Sequence, residues 1–521
     1  MKMINIKESK YWADQIARQV VKEFPNEKIY TVASGITPSG TVHFGNFREI
    51  ITVDLIYRAL KDLGKKTRFI YSWDNYDRIK KIPKNIPDPK SFEKYLFMPG
   101  VDAPDPWGCH KSYVEHFEKE LENAVPLVGI YPQFIYQDKL YRAFKYADDI
   151  KFILERRFEI RAILNKYRRE PLAANWYPIF IYCEKCKKDT TKVIDWDGEY
   201  TIEYSCDCGF KGETNLKKQG NVVLPWRVDW PMRWKYENVT CEGGGKEHNS
   251  PGGSLDTGHD LCKNVFKHHP PVRFTYDFLI VKGVGGKMAS STGNVITLPK
   301  ILSIFLPEIV RYIYAGRKPI TEFSIGFDED VFKVYDDFYE CEKIYFGKKQ
   351  VTDRDKTHWS RVYEMSAVNK PPKKMPIQPA FKHCVGLINV YQTPKKALAS
   401  IQEKLTKQDK ERYLAVLDKT RNWIDNHASE QYKFELQEKP SSTGLSAKQK
   451  TALSDLAKAL SMRKELVKIF GEVAQKNDIS MKEFFQAVYQ VLVGKERGPR
   501  LAPFIESIGR SKIKNIIEKA K

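Results

Sequence analysis

The sequence predicts an α/β protein: a domain on a parallel sheet, interrupted by metal-binding insertions and followed by an all-α region. Three observations carry that prediction. A strand, a glycine-containing loop, a helix and a second strand succeed one another over residues 29–74. Two close cysteine pairs sit inside residues 180–222. From about residue 350 the periodicity is helical and the exposed faces are rich in lysine.

The elements follow in order. KIYTVASG (29–36) is a β-rich apolar run and reads as a strand. The loop ITPSG follows, and TVHFGNFREIITVDLIYRALKDLG carries helical spacing of apolar residues up to Gly64. TRFIYSWD reads as a buried strand ending at Asp74. Strand, loop, helix and strand make a βαβ unit, which requires a parallel sheet. Ligands of such sheets bind beyond the carboxyl ends of the strands. The loops at those ends carry Thr37, Pro38, Gly40 and His43, and the acidic cluster Asp74, Asn75 and Asp77. A short strand QFIY comes next, then a long basic helix over roughly residues 138–169. Strand-like stretches return at VVLPWRV and RFTYDFLIV, with a helix over GGSLDTGHDLCKNVF between them. The loop GVGGKMASSTGN precedes a helix over TLPKILSIFLPEIVRYIYAG. The last third reads as basic helices, with KPSSTGLSAKQ as a linker that ends in a helix cap.

The chain of 521 residues has a formal net charge of +21, spread along its length. A large basic globular protein most often meets nucleic acid. No secretory leader and no membrane-length apolar stretch is visible, so a cytoplasmic protein without a membrane partner is expected. In a reducing compartment the paired cysteines suggest metal over disulfides.

Two motifs carry anion chemistry. TVHFGN sets His43, Gly45 and Asn46 at the first turn of a helix that follows a strand. Unpaired amides and the helix dipole favour an anion there. Gly45 lets a flat ring approach the backbone, and Asn46 offers an amide to a sugar or phosphate. Taken alone, the stretch also reads as a capped helix with an incidental histidine. The second motif, GVGGKMASSTGN, is a glycine-rich polar loop with one lysine, Lys287, followed by Met288, Ser290 and Ser291. Each motif sits at a strand-to-helix turn, so the two can converge on one polyphosphate.

HFGN resembles the HIGH motif, and KMASS the KMSKS motif, of class I aminoacyl-tRNA synthetases. SGITPSG, WRVDWPMRW, GGKEHNSPGGSLDTG and VGKERGPRLAPF narrow the likeness to the class I lysyl-tRNA synthetases. Asn46 and Ser290 depart from the general motifs, where a second histidine and a second lysine stand. The resemblance implies a Rossmann-type catalytic domain over residues 1–350, with insertions at about 98–120 and 178–222, and a helical anticodon-binding region over 351–521. It implies a monomer that takes ATP with Mg²⁺, L-lysine and tRNA(Lys) as partners. Lysine is activated to lysyl-adenylate and transferred to the 2′-hydroxyl of the terminal ribose. His43 and Lys287 would be catalytic. Pro38, Gly40, His43, Gly45, Asn46, Lys287, Met288, Ser290 and Ser291 would bind ATP. Gly35 and Thr37 match a stretch that contacts the amino acid in this family. Asp74, Asp77, Trp226, Trp230, Trp234, His248, Asp256 and Tyr276 are candidates by chemistry, since a lysine side chain wants an apolar sleeve and a polar or π-rich end. The competing expectations are a class I ligase for glutamate or arginine, and a non-catalytic tRNA-binding relative.

Two structural zinc ions are expected. Cys183 and Cys186, then Cys206 and Cys208, have zinc-ribbon spacing, because a tetrahedral ion needs four thiolates from two turns. Asp105, Cys109, His110 and His116 form the pattern D-x3-C-H-x5-H. Its spacing fits a metal site, with a helix starting near Cys109, or a capped helix with two surface histidines. The family resemblance favours the metal.

Overall fold

The computed structural model describes residues 8–83, 85–282, 295–437, 439–462, 464–498 and 500–520. They form two compact units. The first takes in the chain up to Ile301, Val310–Ile325 and Gln350–Pro371; the second takes in Leu302–Ile309, Gly326–Lys349 and the chain from Pro372 onward. A single boundary at residue 350 does not describe this division, since residues 350–371 return to the first unit. The reason is two buried arginines. Arg311 is fully buried; it pairs with Asp54 at 2.7 Å and donates to the carbonyls of Val128 (3.1 Å) and Met365 (3.0 Å). Arg361 pairs with Asp14 at 2.8 Å and with Asp62 at 2.9 Å.

The first unit opens with helix α1 (Trp12–Glu23), strand β1 (Tyr30–Ile36), helix α2 (Phe44–Asp62) and strand β2 (Thr67–Trp73). Helix α3 (Tyr113–Ala124) and strand β3 (Gln133–Tyr136) follow. A small antiparallel ribbon is built from β4 (Thr191–Trp196), β5 (Thr201–Cys206) and β6 (Lys211–Asn215). The chain then returns through helix α4 (Trp226–Tyr236), β7 (Val239–Gly245), helix α5 (Ser254–Asn264) and β8 (Val272–Tyr276). The main sheet has the order β8-β7-β1-β2-β3 and every pairing is parallel. The chain leaves β1 towards β2 and β3 on one side and comes back to β7 and β8 on the other. The order therefore reverses between β1 and β7, and a crevice opens there beyond the strand ends.

Four expectations change. Strand β7 was hidden by its sequence, VTCEGGG, because glycine runs argue against a strand. Here glycine is a packing requirement: a Cβ on Gly243 would lie 2.3 Å from the ring of Phe274 on the neighbouring strand. VVLPWRV is a strand only at Val222–Val223; from Trp226 it is helix, admitted by Pro225 at the helix entry. The long basic helix is three pieces, Gln137–Arg142, Ala147–Glu155 and Arg157–Asn165, parted near Phe144, which has a positive φ of 58°, and at Arg156. RFTYDFLIV is two strands in different sheets: β8, and β9 (Leu279–Val281), which pairs with β10 (Phe323–Ile325).

The second unit is helical among its described residues, apart from short connections. Buried Trp423 donates from Nε1 to the Phe327 carbonyl at 2.8 Å, among Phe332, Phe381 and Tyr432. A separate core joins helices Ala447–Ala459, Leu466–Lys476, Met481–Val493, Leu501–Ile508 and Arg510–Lys519. Capping boxes start three of the unit's helices, at Thr406, Ser446 and Ser480, as serine or threonine three residues before an acidic or amide side chain predicts. No helix among the described residues is long and apolar enough to cross a membrane.

Candidate active site

A cavity of about 560 Å³ opens at the carboxyl ends of the strands. β1 contributes Gly35 and the following loop with Thr37, Gly40 and His43; β2 contributes Ser72 and Asp74; β7 contributes Glu242 to Gly245; β8 ends in Tyr276. The first turns of α2 add Gly45, Asn46 and Glu49, and α4 adds Trp226, Trp230 and Arg233. Of the residues expected from sequence, Gly35, Thr37, Gly40, His43, Gly45, Asn46, Asp74, Trp226, His248 and Tyr276 all line it, as does Asp77. Pro38 is buried and is not part of the lining. Trp234 is a core residue with 1% exposure, and Asp256 is paired with Arg273 at 2.6 Å. Lys287, Met288, Ser290 and Ser291 lie outside the described residues.

His43 is the N-cap of α2. Its Nδ1 accepts from the Asn46 amide at 3.2 Å, and the Asn46 side-chain oxygen accepts from the His43 amide at 3.3 Å. An imidazole that accepts at Nδ1 is in the tautomer that carries its proton on Nε2. The motif therefore spends one ring nitrogen on the helix cap, which places the ring proton on the other. The amides are less open than a bare helix end. Phe44 donates to the Ile296 carbonyl at 2.6 Å, and His43 bridges Thr297 in antiparallel fashion. The chain that follows the second motif thus returns to the first.

Sequence reasoning named Asp74 and Asp77 but missed the cavity's other acidic members, Glu49, Glu242, Glu247 and Asp277. Glu49 accepts from the Gly35 amide (3.1 Å) and from the Tyr276 hydroxyl (2.9 Å). Burial pushes its carboxyl up to about 8, against the effect of those two hydrogen bonds. Its spacing was a usable signal: Glu49 lies four residues after Gly45 on a helix, hence on the same face. Glu242, which accepts from Trp234 Nε1, is raised to about 7, and Asp77, which accepts from the Thr37 hydroxyl at 2.9 Å, to about 6; burial is the main cause in both. Arg233 binds Asp74 at 2.6 Å, Asp229 at 3.1 Å and the Ser72 hydroxyl at 2.7 Å. Trp226 and Trp230 flank His248 edge-on at 5.7 and 5.9 Å, and burial lowers the His248 pKa, so this wall is uncharged and aromatic.

The charge balance of the lining is distinctive. Six carboxyl groups, of Glu49, Asp74, Asp77, Glu242, Glu247 and Asp277, face two fixed cations, Lys80 and Arg233. Near neutrality Glu49, raised to about 8, is mostly protonated and Glu242, raised to about 7, partly so, and Asp277 is paired with Lys246 at 3.2 Å; the lining can therefore gain negative charge where a small cationic ligand pairs with these carboxyls.

Two further clusters have metal-ligand chemistry. The four thiols of Cys183, Cys186, Cys206 and Cys208 lie within 4.8 Å of one another, with sulfur pairs at 3.8 and 3.6 Å. A zinc tetrahedron with bonds of about 2.3 Å has sulfur–sulfur edges of about 3.8 Å, so the donors fit. Asp105, Cys109, His110 and His116 also converge: Cys109 Sγ lies 3.1 Å from His110 Nδ1, 3.3 Å from His116 Nδ1 and 3.2 Å from the Asp105 carboxylate. That cluster is slightly tighter than zinc's tetrahedral edges of about 3.5 Å and fits the same ion. The helix does not start near Cys109 as expected. Ser112 caps it and it begins at Tyr113, while Asp105 accepts from the amides of Trp107, Cys109 and His110 and so curls the preceding loop.

Residues 10–369 match the family described as tRNA synthetases class I (K). A lysine–tRNA ligase of Borrelia garinii subsp. bavariensis is 42% identical over 98% of this chain and 99% of its own. One from Pyrococcus horikoshii is 38% identical over 96% of this chain and 98% of its own. A solved glutamate tRNA ligase of Elizabethkingia meningosepticum aligns over 95% of this chain and 99% of its own at 14% identity and a TM-score of 0.42, too distant to bear on function. Matched over most of its length, the chain belongs to the class I (K) family of tRNA synthetases.

Proposed function

We propose that this protein is a lysine–tRNA ligase that activates L-lysine with ATP and transfers it to the 2′-hydroxyl of the terminal ribose of tRNA(Lys). The observation that carries the choice of amino acid is the six-carboxyl cavity with an aromatic wall. Zwitterionic lysine has two ammonium groups, and a buried cation needs a paired anion. Glu49, held between Gly35 and Tyr276, is suited to one ammonium, and Asp74, oriented by Arg233, to the other. Trp226, Trp230 and His248 form a sleeve for the methylenes.

In the first step a lysine carboxylate oxygen forms a bond to the α-phosphorus of ATP, the bond to the β-phosphate oxygen breaks, and pyrophosphate leaves. In the second, the ribose 2′-oxygen attacks the lysyl carbonyl, loses its proton, and AMP leaves. No protein atom becomes covalently attached, so the chain's contribution is positioning and charge stabilisation. His43 Nε2–H, fixed by the cap at Nδ1, serves as a neutral donor to the phosphates. Lys287 would supply a further cation to the phosphates, with Ser290 and Ser291 as hydroxyl donors and Met288 next to it in sequence. Gly40, Gly45 and Asn46 border the nucleotide, with buried Pro38 shaping that loop. Mg²⁺ arriving with ATP would neutralise phosphate charge. Two zinc ions would be held by the four cysteines and by Asp105, Cys109, His110 and His116, where they pin loops. The helical second unit, basic in sequence, would bind the tRNA around its anticodon, with affinity that falls as salt rises.

The test is lysine-dependent ATP–pyrophosphate exchange in the presence of tRNA, followed by aminoacylation with a panel of labelled amino acids. Exchange and charging with lysine are expected. Charging with glutamate or arginine and not lysine would overturn the substrate; no exchange with any amino acid would leave a tRNA-binding relative.

A further inference from the structure

We propose that Phe97, Arg78 and Phe180 form a stacking platform at the rim of the cavity for the unpaired 3′ end of an RNA strand. The proposal deepens the synthetase reading and rests on it for the identity of the RNA, since a strand whose terminal ribose enters the cavity has to cross its rim. Three stretches of chain meet there. The Ile79 amide donates to the Met98 carbonyl at 2.9 Å, and the Phe97 amide donates to the Ile79 carbonyl at 3.0 Å. The Phe97 carbonyl in turn accepts from the Asp189 amide at 3.0 Å, and Asp189 pairs with Arg78 at 2.7 Å. Phe180 sits on a two-residue strand, Phe180–Ile181, that pairs with Val222–Val223. The Arg78 guanidinium lies 5.8 Å from the centre of the Phe97 ring and 5.7 Å from that of Phe180, within reach of both π systems. Asp77 and Lys80, on either side of the Arg78–Ile79 stretch, line the cavity, so the platform adjoins it.

Packing does not account for the two rings. Their sequence neighbours Leu96, Ile179 and Ile181 turn inward into apolar clusters. Phe97 and Phe180 stay at the surface, 38% and 42% exposed. Phe97 also has a φ of 69°, in the left-handed region that is costly for a bulky residue and that glycine or asparagine enters more readily. Strain of this kind gathers at binding sites, where a side chain is held for what it meets. The surroundings of the rings select a nucleic acid as the occupant. Bases stack on aromatic side chains and on guanidinium planes with little regard to sequence, and their phosphates pair with cations. Lys80 and Lys81 follow Arg78 in the chain and are exposed, whereas Asp189, which balances Arg78, is buried. An apolar peptide would use the two rings and leave the guanidinium and the lysines without a role.

The test uses the full chain and a tRNA(Lys) transcript that carries 2-aminopurine, a fluorescent base quenched by stacking, at each of its unpaired 3′ positions in turn. The parent is expected to quench at least one of them on binding. Phe97→Ala and Phe180→Ala are each expected to lose that quench and to bind the transcript about tenfold more weakly, the size of one lost base–aromatic stack. Phe97→Tyr keeps a flat ring and is expected to keep the quench. All three variants should match the parent in affinity for a transcript that lacks the unpaired 3′ nucleotides. Thermal unfolding within about 3 °C of the parent establishes the fold of each variant, and Phe180→Ala, on an extended strand, carries the test if Phe97→Ala does not fold. Unaltered quenching in the alanine variants overturns the proposal, and so does a loss of affinity that persists on the shortened transcript. A parent without lysine-dependent exchange that still quenches through Phe97 and Phe180 refutes the proposed function alone. A parent with exchange and no quench overturns the platform alone.

Discussion

Glu49→Gln is expected to stabilise the empty protein while it destroys lysine binding. The parent carboxyl moves from an ordinary 4.5 to about 8, first through burial, with the charges of Glu242 and Asp74 adding to it. A raised acid binds its proton more tightly in the folded state, so folded stability falls as pH rises from 4.5 to 8 and the loss is complete above 8. At about 1.4 kcal/mol per tenfold, that loss is at most about 5 kcal/mol, and water at the cavity mouth reduces it to about 1–3 kcal/mol. Glutamine has no proton to lose and keeps both hydrogen bonds, to Gly35 and to Tyr276 with its hydroxyl rotated. The variant should therefore match the parent in thermal unfolding near pH 4.5 and exceed it at pH 8. Lysine binding runs the other way. If only the ionised carboxylate takes the ammonium, parent affinity rises about fiftyfold between pH 6 and pH 8, read by calorimetry as proton release on binding. Removing the charge should weaken lysine by about 2–4 kcal/mol. A variant that unfolds with the parent at both pH values and still binds lysine would refute this account of the pocket.

Lys287→Ala should slow adenylate formation far more than it weakens ATP binding, because charge stabilisation counts most in the transition state; pre-steady-state rates set against ATP affinity would decide, and an equal loss in both would refute it. Elemental analysis of the purified chain should find two zinc ions, and Cys183→Ser should lower the count to one while exchange activity persists; a single ion in the parent contradicts the second cluster. Arg311→Met should cost about 2–4 kcal/mol in denaturant unfolding of the first unit, since it strips the carbonyls of Val128 and Met365 of their donor, even though Arg58 stays paired with Asp54 at 2.9 Å.

Residues that act locally were legible in the chain. Alternation and helical spacing located β1, α2 and β2, capping signals located helix starts, and the four-cysteine spacing picked out four thiols that the fold does bring together. HFGN located the helix cap that borders the cavity because motif chemistry depends on residue type within one turn, whereas KMASS lies outside the described residues. What stayed hidden depends on neighbours distant in sequence. β7 escaped because its glycines are set by Phe274 on the adjacent strand rather than by strand propensity. Glu49 escaped because a glutamate in a helix looks like a solvated one until Gly35 and Tyr276 close around it. The return of residues 350–371 to the first unit turns on Arg311 and Arg361, whose burial no local pattern reports. By itself, the sequence determined the chemistry available and the class of fold. Only the tertiary structure decided which carboxyls lose their water and share one cavity, because desolvation and charge pairing are properties of the folded surroundings and not of the residues.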